Sequence, residues 1–347
     1  MSLTAPADLF FPHATAPAPG EMIELAPGIM WLRLALPFAL NHVNITIIDD
    51  GTGWNVIDTG VADARTRAVW EAMLAGPLAG RPVNRLIITH FHPDHVGLGG
   101  WLAQKCGVGV TMSQVEYLQS RLSRSNAVMT DASPHWPFYA RHGLNPEQIH
   151  TMTVRGDSYL RLTVDLPLNY TRIRAGDVLD FGGRRFEVLT GAGHAMEQVM
   201  LLCRDEAIFL PADQVIAHIS PNVAVHAWEP EADALADYLA SLRAIRAAVP
   251  ADVLVAPTHG LPFEGLHRRI DALVAHHDER CDAVAAAVAR GAETTAAVMP
   301  ALFARALDPH QMGFAFGEAL AHVNYMLGRG TLCCETDANG VLRLAPG

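Results

Sequence analysis

Residues 90 to 95 read His-Phe-His-Pro-Asp-His, which places four candidate metal ligands, His90, His92, Asp94 and His95, within six positions. The apolar run Leu86 to Ile88 ahead of them reads as a buried strand, and residues 96 to 106 carry apolar side chains at helical spacing. A strand therefore ends and a helix begins on a loop holding three imidazoles and a carboxylate. His90 and His92 are two apart, so on extended backbone both point to one side. Asp94 and His95 fall at the helix start, where the chain bends and a second set of donors can face the first. Pro93 stiffens the turn by fixing its own φ. Such donors suit a borderline divalent ion such as Zn²⁺, and six positions suffice for two ions.

In this order and spacing the segment resembles the signature of the metallo-β-lactamase superfamily. The resemblance implies a four-layer αββα sandwich of mixed α/β (α+β) class, with a metal site at one edge between two sheets. It also implies further ligands downstream, each at a strand end. Thr190-Gly191-Ala192-Gly193-His194 is a glycine-rich turn delivering a histidine, where the family places the third ligand of its first ion. Glu197 stands near it as a possible supporting group. Pro211-Ala212-Asp213 ends a strand with a carboxylate, with Ala212 where the family has glycine. Pro257-Thr258-His259-Gly260 follows the last clear strand of the sandwich, Val253 to Val255. By resemblance His90, His92 and His194 hold one ion, Asp94, His95 and His259 hold the other, and Asp213 bridges. Asp58, in Asp58-Thr59-Gly60, either supports a ligand loop by hydrogen bonding or is a plain turn residue.

Around these points the chain alternates β-like runs and helical stretches. Residues 1 to 21 are rich in Pro and Ala and read as an arm, and residues 22 to 265 as the catalytic unit. An insertion at about 113 to 170 carries Pro134, His135, Trp136, Pro137, Phe138 and Tyr139, aromatics that suit a lid over the cleft or the packing of an inserted helix pair. Residues 170 to 190 look like a hairpin. His218, His226 and Trp228 are open between pocket-lining and packing roles. From 266 to 347 the order is helix, helix, helix, hairpin, which resembles the small winged-helix-like C-terminal domain of one branch of the family that includes an endoribonuclease.

Charge bears on the partner. The net charge is −11, Lys105 is the only lysine, and the tail beyond residue 262 carries 7 Arg against 10 acidic residues. A nucleic-acid grip normally shows a basic stripe, so a small-molecule substrate is expected, with packing, pocket closure or a homodimer contact as the tail's role. Five cysteines without C-x-x-C spacing suggest neither a disulfide framework nor a thiolate zinc site, and buried reduced thiols are expected. No apolar run approaches a membrane span, and no secretory signal is visible, which points to the cytosol.

Two divalent ions, zinc foremost with iron or manganese as fits, would lower the pKa of a shared water so that hydroxide exists at neutral pH, and would polarise the bond it attacks. Asp94 could then protonate the leaving group. The expected reaction is hydrolysis of a small ester, thioester or lactone. RNA phosphodiester cleavage and a non-hydrolytic metal-binding role are the alternatives. Fold alone does not fix the substrate.

Overall fold

Alternation of side chains along the strands decides the layers, as seen in a computed structural model that describes residues 8–125, 135–153 and 158–347. The chain runs β1 (Met22–Ala26), β2 (Ile29–Ala35), β3 (His42–Asp49), β4 (Trp54–Ile57), α1 (Ala64–Ala75), β5 (Val83–Ile87), α2 (Pro93–Val96), α3 (Gly99–Cys106), β6 (Val110–Met112) and α4 (Gln114–Ser125). Then come α5 (Trp136–Arg141), α6 (Pro146–Thr153), α7 (Ser158–Leu162), β7 (Tyr170–Arg172), β8 (Val178–Phe181), β9 (Arg184–Gly191), β10 (Gln198–Cys203) and β11 (Ile208–Leu210). The rest is α8 (Ala234–Ala248), β12 (Leu254–Val255), α9 (Leu266–Ala289), α10 (Thr295–Leu302), α11 (Pro309–Gly328), β13 (Leu332–Thr336) and β14 (Leu342–Pro346).

One sheet orders β1 to β7 in sequence, antiparallel through β4 and parallel from there; the other orders β12-β11-β10-β9-β8. Every residue of β10 is buried. Val199, Leu201 and Cys203 face Ile29, Ile48 and Ile87 of the other sheet, whereas Met200 and Leu202 face Leu235 and Leu239 of α8. On the far side Leu86 and Ile88 pack with Trp70 of α1 and Leu102 of α3. A period of two thus gives each central strand two apolar faces, and helices cover both outer surfaces. This is the α+β sandwich the sequence implies, followed by a helical C-terminal region whose three helices and hairpin come in the expected order. Among the described residues no helix is long and apolar enough to cross a membrane.

Four expectations need correction. Residues 96 to 106 are not one helix, since α2 and α3 are separate. Leu98 N donates to Gly60 O and Thr59 Oγ1, both at 3.1 Å, so that turn is tied to the Asp58-Thr59-Gly60 loop. Residues 170 to 190 are not one hairpin: β7 closes the first sheet beside β6, and only β8 and β9 pair with each other. Nor do Phe138 and Tyr139 of the insertion reach over the cleft. Phe138 and Tyr139 pack edge-on to Phe316 of α11, at 5.8 and 5.4 Å between ring centroids. The apolar partner they needed lies in the tail, and Pro134 falls outside the described residues. Of the five free cysteines, Cys203 is buried as expected, but Cys333 and Cys334 are exposed on the terminal hairpin.

Candidate metal centre

The loop after β5, the turn after β9, the turn after β11 and the segment after β12 all end at one edge of the sandwich. They bring seven side chains together. His90 Nε2 lies 2.9 Å from His92 Nδ1, which lies 3.1 Å from His194 Nε2. His259 Nε2 is 3.4 Å from Asp94 Oδ2, and His95 Nε2 is 3.6 Å from the same oxygen. Asp213 stands between the groups: its Oδ2 is 3.2 Å from His194 Nε2, and its Oδ1 is 3.4 and 3.5 Å from His259 Nε2 and His95 Nε2. The seven are thus brought together, with His90, His92 and His194 in one group, Asp94, His95 and His259 in another, and His90, His95 and Asp213 in a third that joins them.

Whether these residues fit a cation is decided by their outer hydrogen bonds. His194 Nδ1 donates to Asn222 O at 2.9 Å and His259 Nδ1 to His42 O at 2.8 Å. His95 Nδ1 donates to Asp58 Oδ2 at 2.8 Å. Thr89 Oγ1 gives its single proton to Asp58, so it accepts from His90 Nδ1 at 3.0 Å. With the outer nitrogens of His90, His95, His194 and His259 carrying a proton, each of these rings in its neutral form turns the lone pair of its inner nitrogen toward the centre. His95 Nε2 is buried with no hydrogen-bond partner. Converging lone pairs and an orphaned nitrogen are unfavourable alone and become favourable around a divalent cation. The donor set fits.

The electrostatics separate His90 and His92 from His95 and His259, which, against burial, the carboxylates raise. Burial, then the neighbouring imidazoles, hold His90 and His92 well below the usual histidine range, so both are neutral donors. Burial pushes the Asp94 carboxyl up, but His95 and His259 outweigh it and hold it at about 2. Burial opposes charge on His259 too, yet Asp213 and Asp94 raise it to about 10. These imidazoles thus sit in a strongly anionic field, where a dication would take the proton's place.

Asp58 accepts from Thr89 N at 2.8 Å as well as from His95, so of its two readings the hydrogen-bonding one describes it. Glu197 does not support His194 through its side chain; its Oε2 accepts from Val115 N at 3.4 Å. Sequence reasoning missed His42, whose carbonyl orients His259 and whose Nε2 accepts from Gly260 N at 2.8 Å. Burial, Arg33 and His259 lower His42 to about 3, which keeps that acceptor free. A carbonyl contact has no side-chain signature, so nothing in the sequence flags it.

Ala212, where the family has glycine, has φ +48° and is 2% exposed. Left-handed backbone costs an L-residue roughly 1–2 kcal/mol, offset in Ala212→Gly by the lost buried methyl and the freer unfolded chain. Ala212→Gly is expected within about 0.5 kcal/mol of the parent and Ala212→Val more than ~2 kcal/mol less stable, because branching at Cβ suits this backbone poorly. Denaturant midpoints check both; a stable Ala212→Val would show that the turn does not need this conformation.

A cavity of about 270 Å³ opens beside His194. Phe91, Met196, Val225 and Trp228 supply apolar wall, Glu229, Asp233 and Asp237 supply carboxylates, and no Lys or Arg among the described residues lines it. His226 stacks on Trp228 at 4.3 Å. His135, Trp136, Phe138 and His218 do not line it; His218 stacks instead on Phe11 at 5.1 Å. The wall hangs from α11. Val225 N donates to Gly317 O at 3.1 Å, and Asn324 Nδ2 donates to Pro230 O and Ala232 O at 3.1 and 3.0 Å.

Comparison with known proteins agrees with this geometry. Residues 39–259 match the metallo-beta-lactamase superfamily, and residues 281–346 match the metallo-beta-lactamase-like C-terminal domain. A beta-lactamase domain protein from Burkholderia ambifaria is 38% identical with a TM-score of 0.88, covering 99% of this chain and all of that one. A metallo-beta-lactamase family protein from Thermus thermophilus is 26% identical with a TM-score of 0.76, covering 93% of this chain and all of that one. A probable metallo-hydrolase of Bacillus subtilis (strain 168) is 24% identical over 251 residues, which is 70% of this chain and 75% of the relative.

Proposed function

The chain belongs to the metallo-beta-lactamase superfamily and is a metal-dependent hydrolase; from that premise we propose that it cleaves a small carboxylic ester, thioester or lactone at a two-ion centre. His90, His92 and His194 hold one ion, Asp94, His95 and His259 the other, and Asp213 serves both. The observation that carries the two-ion reading is the placement of the two Asp213 oxygens, one toward each histidine group. Two zinc ions there would supply Lewis acidity and bring the ionisation of water close to neutral pH. The catalytic unit is read as residues 22–265 and the tail as 266–347, and the two family matches fall on either side of that division.

The chain's own residues supply orientation and a proton site. Asp94 is ionised at neutral pH and is the more open carboxylate, 18% exposed against 8% for Asp213. It takes the proton lost by the attacking water and returns it to the leaving oxygen or sulfur. The apolar wall of Phe91, Met196 and Val225 receives the acyl portion and excludes water from it. The cavity also favours carboxylic substrates over RNA, since Glu229, Asp233 and Asp237 disfavour a polyanion, and of the three only Asp233 is ion-paired among the described residues, with Arg329 at 3.4 Å.

Elemental analysis of protein purified without added ions, followed by a panel of aryl esters, acyl thioesters, lactones and single-stranded RNA, tests this reading. Two equivalents of zinc are expected, with ester, thioester or lactone turnover that disappears on chelation and returns with zinc. Metal-replete protein that ignores the carboxylic panel and cuts RNA would overturn the substrate class. A single equivalent at saturation would overturn the two-ion centre.

A further inference from the structure

Ser113-Gln114-Val115-Glu116 has the S-x-x-E spacing of a helix capping box, in which the glutamate bonds back to the backbone of the serine. Glu116 does something else. Its carboxylate is fully buried, with Oε2 accepting from Phe91 N at 2.9 Å and Oε1 accepting from Glu197 N at 2.7 Å. Phe91 lies between His90 and His92, and Glu197 lies three residues after His194. One oxygen is committed to each ligand loop, and the two loops come from different sheets. A buried carboxylate is costly unless its lone pairs are met by donors. A helix needing only a cap has no reason to place one there, and Ser113 Oγ is the group near the free amide of Glu116, at 3.4 Å.

We propose that Glu116 is a positioning residue whose carboxylate ties the His90–His92 loop to the His194 loop and so sets the spacing of the first ligand group before a cation arrives. The proposal rests on the metal-centre reading above. Glutamine has the same shape but replaces one oxygen with an amino group. In Glu116→Gln one of the two amides therefore faces a donor, and that loop loses its tie.

The full-length protein, its Glu116→Gln variant and its Ser113→Ala variant are compared in two measurements. Amide hydrogen exchange on metal-free protein is expected to speed up at Phe91 or Glu197, at least ~10-fold, in Glu116→Gln alone. Competition with a chromophoric zinc chelator is expected to show affinity falling about 10- to 100-fold in Glu116→Gln, the range for partners that orient a ligand. Ser113→Ala lowers the melting temperature without moving either readout, which separates capping of α4 from bracing of the loops. Unchanged exchange in Glu116→Gln, or unchanged zinc affinity, overturns the proposal. Should the parent bind no zinc, the metal-centre reading fails, and exchange at the two amides still decides whether Glu116 ties the loops. If Glu116→Gln fails to fold, Glu116→Asp takes its place. Its side chain is one methylene short of spanning both loops, and it is held to the same two outcomes.

Discussion

Asp213→Ala is expected to lose more than about 10²-fold in turnover, exceeding the effect typical of groups that only orient a ligand. The carboxylate contacts both histidine groups, and Thr258 Oγ1 donates to its Oδ1. Burial works against its ionisation, but His259, His95 and His194 outweigh burial and hold it far below the usual carboxylate range. In the proposed two-ion centre, removing it would leave five imidazoles and one carboxylate for two dications, without the carboxylate that lowers their repulsion. Asp213→Asn keeps the shape and the oxygen facing Thr258 but not the charge, and it is expected to fall nearly as far. Steady-state kinetics with metal analysis check both. Asp213→Asn with full metal content and the parent's kcat/KM would refute the bridging role.

Gly97→Ala is expected to cost about 3 kcal/mol of stability, the upper range for overpacking. Gly97 lies just after the histidine loop, between α2 and α3. A Cβ there would meet three backbone carbonyl oxygens, of Pro93, Gly60 and Leu162, the last two at 2.5 and 2.6 Å. None is the end of a flexible side chain, so the backbone itself must move. The displaced segments are the metal loop, the Asp58-Thr59-Gly60 loop and α7. Gly107→Ala provides the contrast, because its Cβ meets open space and only its left-handed φ of +70° opposes the change. Chemical denaturation checks the pair. A Gly97→Ala variant within about 1 kcal/mol of the parent would show that the three segments yield more easily than close packing allows.

The part of the site legible in the sequence was the part made of side chains at short spacing. His90, His92, Asp94 and His95 declare themselves by density alone, whereas His194, Asp213 and His259 needed the family pattern, each being one residue on a turn. What could not be read was whatever depends on backbone groups or on a distant partner. Asn222 and His42 act on His194 and His259 through carbonyls, which every residue has. Glu116 reaches backbone amides of two distant loops, which its neighbours in the sequence do not reveal. β7 was assigned to the wrong neighbour because an extended run shows its own conformation but not which sheet edge receives it. The aromatics of α5 were ambiguous for the same reason, since Phe316, which they pack on, lies some 180 residues later in the chain.

The suspension of residues 225 to 232 from α11 has an evolutionary consequence. The histidine and aspartate cluster sits on the sandwich, while the cavity wall beside it is pegged by Gly317 and Asn324 of α11. If that wall receives the substrate as proposed, substitutions on α11 would reshape it without touching the cluster, and relatives could differ there in what they accept.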